Sequence, residues 1–282
     1  MALLFAITDG PQCFVRATSL RREAGSILLS VWEGKPAMKP TVIVVGADKG
    51  GVGKTTVCRA LLDFFSAHNV AARAFDTESP RGTLHRFHPD ITNIVDITST
   101  ADQMRILDTL TGAAATVIDV RAGHLSRTLA VLRDIGFLAA AAEGEVSFVV
   151  FHVLGSSVSS LEEIADIAPF VSDAHYYLVK NHINEATFFE WDPKTHASYF
   201  GKVRCSGEVS IAKLDELACE RVEVAGVPFS SFVANKTGKG APAQNSFVLR
   251  GYTRTWLTSA FEEFDRIGLR NLVQPGKPAK KK

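Results

Sequence analysis

A lysine followed by two hydroxyl side chains, Lys54-Thr55-Thr56, ends a glycine-rich run, Gly50-Gly51-Val52-Gly53. That run follows closely on an apolar, β-branched stretch from Thr41 to Val45. Residues of these types in this order can hold phosphate. Glycines let the backbone turn tightly and bring bare N–H groups onto anionic oxygens that a side chain would block. A helix opening near Lys54 aims its free N–H groups and the positive end of its dipole at the same anion. A lysine in this place reaches β- and γ-phosphates, and the Thr55 hydroxyl is placed to hold Mg²⁺. Gly50, Gly51, Val52, Gly53, Lys54, Thr55 and Thr56 are therefore the candidate nucleotide-binding residues.

A phosphate loop needs carboxylates to hold its metal and to place an attacking water. Asp119 closes the buried apolar run Ala115–Val120 and is a candidate to hold Mg²⁺ directly or through water. Asp76-Thr77-Glu78 follows the short run Ala71–Phe75, and Asn181 ends the run that begins at His175. In parallel sheets ligands sit at the carboxyl ends of strands, and Asp76, Asp119 and Asn181 all fall at such ends. Arg121 and His124 follow Asp119; Arg121 is placed either to contact phosphate or a partner or to be solvated, and His124 to cap or pack. Asn235-Lys236-Thr237-Gly238 lacks the acidic fourth residue of a guanine-reading N-K-x-D, which favours ATP over GTP. The eight histidines show no metal-ligand spacing.

The usual phosphate-loop pattern, G-x-x-x-x-G-K-[ST], asks for glycine where this chain has Asp48, and Lys49 follows. K-G-G-x-G-K-[ST] with the extra Lys49 resembles the deviant Walker A motif of the ParA/MinD family of ATPases. Asp76-Thr77-Glu78, followed by Gly82, resembles that family's D-x-D-P-x-G segment, with Glu for Asp at 78 and one residue more before the glycine. Val117-Ile118-Asp119 is similar to its Walker B strand end. The resemblance implies that Lys49 reaches across an ATP-bound homodimer, that Asp76 steadies the Mg²⁺ shell, that Glu78 orients water, and that Asn181 hydrogen-bonds adenine. Catalysis then falls to Lys49, Lys54 and Glu78, and the metal to Thr55, Asp76 and Asp119.

The function so implied is a slow, partner-stimulated Mg-ATPase that acts as an ATP-dependent dimerisation switch in plasmid or chromosome partition or in positioning a cargo. Its expected partners are a second copy, an activating protein and nonspecific DNA. The departures at Glu78 bear on the rate, since a displacement of about 1 Å can cost a hundredfold. Two other readings stay open. One is an ATP-dependent ligase of the dethiobiotin synthetase or cobyrinate amidation type, with the aromatic insert Phe188, Phe189, Trp191 and Tyr199 receiving a small substrate. The other is an ATP-binding scaffold of low turnover.

These residues need a scaffold to hold them, and the remaining sequence supplies one. Of 282 residues, 46% are hydrophobic, ample for a core. Apolar runs of strand length alternate with helical periodicity: Thr41–Val45, Ala71–Asp76, Ile94–Ile97, Ala115–Val120, Val146–Leu154 and His175–Asn181 read as strands. Helices are expected over 57–68, 101–110, 125–142, 161–171, 211–217 and 246–267, with a last strand over 221–229. This alternation predicts a doubly wound α/β fold, a mostly parallel sheet with helices on both faces. Residues 188–207 read as an excursion and 236–244 as a loop.

The domain expectation is an N-terminal extension over 1–37, an ATPase domain over 38–272 and a basic tail over 273–282. Met38 stands just ahead of the first strand, which suggests a functional start there; the alternative is a genuine N-terminal arm. Four positive charges of the formal +1 lie in the last six residues, so the body is mildly acidic and offers no global attraction for DNA. The tail has no apolar face, which disfavours a membrane partner. Cys13, Cys58, Cys205 and Cys219 form no C-x-x-C pair, which fits a reducing cytoplasmic setting.

Overall fold

The computed structural model describes residues 39–155, 158–183, 193–201 and 203–274. The expectations for residues 1–37, for Phe188, Phe189 and Trp191 and for the lysine tail lie outside them. Among the described residues, seven strands form one sheet: β1 (Thr41–Gly46), β2 (Ala72–Asp76), β3 (Thr92–Ile94), β4 (Ala115–Asp119), β5 (Ser147–Leu154), β6 (His175–Asn181) and β7 (Gly207–Ile211). Their order is β3-β2-β4-β1-β5-β6-β7, and every pairing is parallel. The chain leaves β1 to one side for β2–β4, then returns and builds β5–β7 on the other. The crevice at this reversal lies at the carboxyl ends of β1 and its neighbours, where an open α/β sheet places its ligand.

The central strands are buried on both faces, so their sequences are continuous apolar runs rather than alternating ones. Along β1 the two-residue period still sorts the side chains: Val42 and Val44 join one core, Ile43 and Val45 the other. The first core packs beneath α4 (Leu125–Asp134), α5 (Phe137–Ala142) and α6 (Val158–Ile167). The second packs beneath α1 (Lys54–Ala67), α10 (Phe247–Arg266) and α11 (Leu269–Val273), with Phe64, Phe264 and Trp256 among its large side chains. Trp256 also satisfies its indole N–H, which donates to the Ala212 carbonyl at 2.6 Å.

Several expected boundaries move. The third strand stops at Ile94 because Asp96 turns the chain: its Oδ1 accepts the Thr98 N–H at 2.9 Å and the Thr98 hydroxyl at 2.7 Å. The helix expected over 125–142 breaks at Gly136, which takes a left-handed φ of 82° and starts α5. Within the stretch read as an excursion lies a helix, α7 (Pro193–Phe200). The largest correction concerns 207–229. The last strand is Gly207–Ile211, and the segment expected to be a strand, 221–229, instead ends α8 (Glu216–Ala225) and opens α9 (Phe229–Val233). Asp215 caps α8 by accepting the Ala218 N–H at 2.9 Å, and Gly226 ends it with a φ of 61°. Helical geometry buries Val222 and leaves Val224 71% exposed, whereas a strand would put both on one face.

One core carboxylate gives the fold a measurable pH dependence. Asp63 on α1 accepts the Ser230 N–H at 3.3 Å and the Ser230 hydroxyl, and burial pushes its carboxyl up to about 6 despite those bonds. The unfolded chain releases this proton near pH 3.9. Between roughly pH 4 and 6 this carboxyl therefore keeps its proton in the folded state, and its share of the stability falls as pH rises. The expected loss is about 3 kcal/mol, complete above that window. Urea midpoints of the parent protein and of Asp63→Asn across pH 4–7 should differ in slope by this one group's share; an unchanged slope in the variant would refute this assignment.

Candidate functional site

The loop between β1 and α1 turns through two left-handed glycines, Gly51 (φ 74°) and Gly53 (φ 85°), and Gly53 is the N-cap of α1. A side chain is excluded at Gly53 twice over, by its φ and because a Cβ would run into the Asn181 amide. Around Gly51 nothing lies within 4 Å of where a Cβ would be, so its backbone faces open space. Facing this loop is a cavity of about 310 Å³ that brings together Gly51, Gly53, Lys54, Thr55, Thr56, Asp76, Glu78 and Asp119. Four expected residues do not line it: Lys49, Gly50, Val52 and Asn181.

Thr55 and Asp119 meet directly, the Thr55 hydroxyl donating to Asp119 Oδ2 at 2.8 Å. They come from α1 and β4, which β1 brings together by pairing with β4. Lys54 is 8% exposed and its Nζ donates to the Lys49 carbonyl at 3.3 Å. Burial draws its ammonium below the usual lysine range, against the pull of Asp119. Burial likewise pushes the Asp119 carboxyl up to about 7, and the neighbouring Asp76 carboxylate adds to it. A buried cation and two buried carboxylates so arranged are poised for a ligand that carries both a divalent cation and phosphate.

Asp76 is in register with Asp119 across β2 and β4 and is 2% exposed. Its Oδ1 accepts the Glu78 N–H at 2.9 Å, and its Oδ2 accepts Leu84 N–H at 2.7 Å and His85 N–H at 3.3 Å. It thereby shapes the turn that carries Glu78. Gly82 belongs to the same device, because a Cβ there would lie 2.7 Å from Asp76 Oδ2. Glu78 itself is exposed at the cavity mouth, where the Thr83 hydroxyl donates to its Oε2 at 2.6 Å. Thr77 ties this turn to the loop after β4, its hydroxyl oxygen accepting the Arg121 N–H at 2.8 Å.

Asn181 stands behind the loop rather than in the cavity. Its Nδ2 donates to the Val52 carbonyl at 2.9 Å, and its Oδ1 is buried without a partner among the described residues. Lys49 packs toward the β5–α6 turn, where a Cβ on Gly155 would lie 3.2 Å from its Cδ.

Two groups escaped the sequence reading. Asp48, registered there only as a departure from the usual glycine, caps α4. Its carboxylate accepts the Leu125 N–H at 2.7 Å, the Ser126 N–H at 3.3 Å and the Ser126 hydroxyl, while its own N–H donates to Glu163 Oε2 at 2.9 Å. Glu163 in turn bonds to His152 at 3.2 Å, and His152 to the Tyr176 hydroxyl at 2.9 Å, within the core. A histidine inside the apolar run SFVVFHVL was the available signal. Asp48→Gly, which restores the usual pattern, is expected to lower stability by about 1–2 kcal/mol through loss of charged hydrogen bonds to a helix N-terminus. Urea unfolding tests this, and a neutral result would mean that the cap contributes nothing.

No family model matches the chain, and no curated protein matches it in sequence. Solved structures similar to it include MinD, the septum site-determining protein, complexed with Mg-ADP from Pyrococcus horikoshii OT3, at 13% identity and a TM-score of 0.48, covering 81% of this chain and 97% of that one. Another is a ParA family ATPase from Chlorobium tepidum TLS, at 12% identity and a TM-score of 0.47, covering 77% and 99%. A third is a plasmid partition protein from Borrelia burgdorferi, at 14% identity and a TM-score of 0.37, covering 66% and 96%. Strand order, parallel pairing and a glycine loop opening α1 at the end of the central strand give the chain a doubly wound α/β architecture with its glycine turn at the switch point of the sheet.

Proposed function

We propose that this chain is a ParA/MinD-like Mg-ATPase whose ATP-bound form is a homodimer and whose hydrolysis of ATP dissolves it. The observation that carries the reading is the convergence of Lys54, Thr55 and Asp119 beneath the glycine loop. Lys54 would neutralise charge on the β- and γ-phosphates, and the backbone N–H groups from Gly51 to Thr56 would take their oxygens. Thr55 and Asp119 would hold Mg²⁺, with Asp76 beside them; the metal when bound supplies charge stabilisation to the phosphates. Glu78, fixed by Thr83 at the cavity mouth, would orient the attacking water. Asn181, behind the loop, would serve the nucleotide by steadying the Val52 carbonyl.

The dimer rests on Lys49, the extra lysine of the loop, acting on the partner's nucleotide. MinD from Aquifex aeolicus has been solved as a MinC:MinD complex, and a similar activating or effector protein is the expected kind of partner here. The cellular role that fits is partition or positioning of a cargo by a nucleotide-dependent switch. No helix among the described residues is long and apolar enough to cross a membrane.

Light scattering with Mg-ATP and with Mg-ADP tests the switch, using Glu78→Ala to slow hydrolysis and Lys49→Ala/Glu78→Ala to remove the trans contact. A dimer formed by Glu78→Ala with ATP alone, and absent from the double variant, is the expected result. Monomers under both nucleotides would overturn the proposal.

A further inference from the structure

Beside the phosphate-loop cleft opens a second cavity, of about 250 Å³. Three loops at neighbouring strand ends and one helix build it: Thr77 and Ser79 after β2, Asp96 to Thr98 after β3, Arg121 and His124 after β4, and Arg127 in the first turn of α4. Arg121 lines both cavities, and its N–H is the one held by Thr77, so the two spaces share a wall.

The charge in this cavity is unbalanced. Among the described residues, no hydrogen bond or ion pair engages the Arg121 guanidinium, the Arg127 guanidinium or the His124 ring. Asp96 is the one carboxylate lining it, and its Oδ1 is already turned onto Thr98. Those hydrogen bonds, and after them the charges of Arg127 and His124, hold Asp96 below the usual carboxylate range. The first N–H groups of α4 are given to Asp48, so the positive field comes from side chains and not from the helix end. Two guanidiniums with forked donors, an imidazole and the hydroxyls of Ser79 and Thr98 form a set suited to planar or tetrahedral oxyanions. The volume lies below the range of roughly 300–1,000 Å³ usual for drug-sized ligands, which suits a small anion or the acid end of a larger molecule.

We infer that this cavity is an oxyanion site, taking the carboxylate or phosphate of a second ligand alongside the nucleotide cleft. Its use rests on the nucleotide reading given above: next to a bound nucleotide it would receive either phosphate leaving the cleft or the carboxylate of an acceptor molecule.

Calorimetric titration of the full chain saturated with Mg-ADP tests it, with inorganic phosphate as one probe and succinate as the other. ADP uptake is measured first, so its failure would overturn the nucleotide reading alone. The same two titrations on Lys54→Ala would then still decide the oxyanion site. The expected result is one site for at least one probe, weakened about tenfold by Arg127→Ala, the loss of a charge-assisted hydrogen bond, and tightened severalfold by Asp96→Asn. ADP affinity should stay unchanged in both variants. Uptake of phosphate alone supports a station for released phosphate, and uptake of succinate supports a carboxylate acceptor. Binding of neither probe below about 10 mM, or binding that Arg127→Ala leaves intact, overturns the inference.

Discussion

Lys54→Ala is expected to reduce kcat/KM for Mg-ATP hydrolysis by roughly a hundredfold to a thousandfold while leaving the protein folded. The rate estimate follows from removing one preorganised charge in a largely water-excluded site, about 2.7–4 kcal/mol of transition-state stabilisation. The small effect on stability follows from burial. Lys54 is 8% exposed, its ammonium is disfavoured by desolvation, and the one hydrogen bond described for it goes to a loop carbonyl at 3.3 Å. A charge held under those conditions serves its ligand more than its fold. A coupled phosphate-release assay and thermal melting, run on the same preparations, read both halves. Retention of more than about a tenth of the rate would remove Lys54 from the catalytic machinery. A collapse in melting temperature would instead make it a structural residue.

The largest loss of stability from a single substitution is expected at the partner of Arg59. The Arg59 guanidinium is sandwiched between the Phe87 ring at 3.4 Å and the Phe229 ring at 4.0 Å, and pairs with Glu223. Its Nε and one terminal nitrogen are buried without partners among the described residues. Removing Glu223 takes from a buried charge its nearest counter-ion and leaves Asp63 alone to offset it, a change that costs roughly 3–5 kcal/mol when both partners are fully enclosed. Because the Glu223 side chain is 43% exposed, water screens part of that, and about 2 kcal/mol is the expectation for Glu223→Ala. Arg59→Met keeps the stack between the rings and removes the charge, so it should change stability by less than about 1 kcal/mol. Adding Glu223→Ala to Arg59→Met should then cost little more. Urea unfolding of the three variants closes the cycle. Additive losses would show that the two side chains do not act on each other.

The sequence disclosed the parts of this molecule that follow a local rule. A β-branched run before glycines, and apolar runs ending in Asp76, Asp119 and Asn181, placed the strands, and the first two of those ends marked the cleft. The glycine loop itself was legible because φ above zero and close approach admit almost no other residue. What was not legible depended on partners far along the chain. Asp48 looked like a flaw in a motif until Ser126, 78 residues away, came onto its carboxylate. Val222, Val224 and Val227 carry a strand-like composition, yet Asp215 and Gly226 start and stop a helix around the first two. The cavity after β3 and β4 could not be read at all, since Asp96, Arg121 and Arg127 meet only through the strand order. Local chemistry sets single elements, whereas the meeting of loops is set by topology.

The two-sided attachment of Asp48 has a mechanical consequence. Its main chain is fastened to Glu163 on α6 and its side chain to the start of α4. Those helices flank the loop, and behind α6 the fastening continues through His152 on β5 to Tyr176 on β6. Asp48 is thus a hinge pin shared by two levers, one of them anchored in the bedrock of the molecule. A push on the phosphate loop is therefore felt at both helices, at α4 through the Asp48 carboxylate and at α6 through the Asp48 main chain.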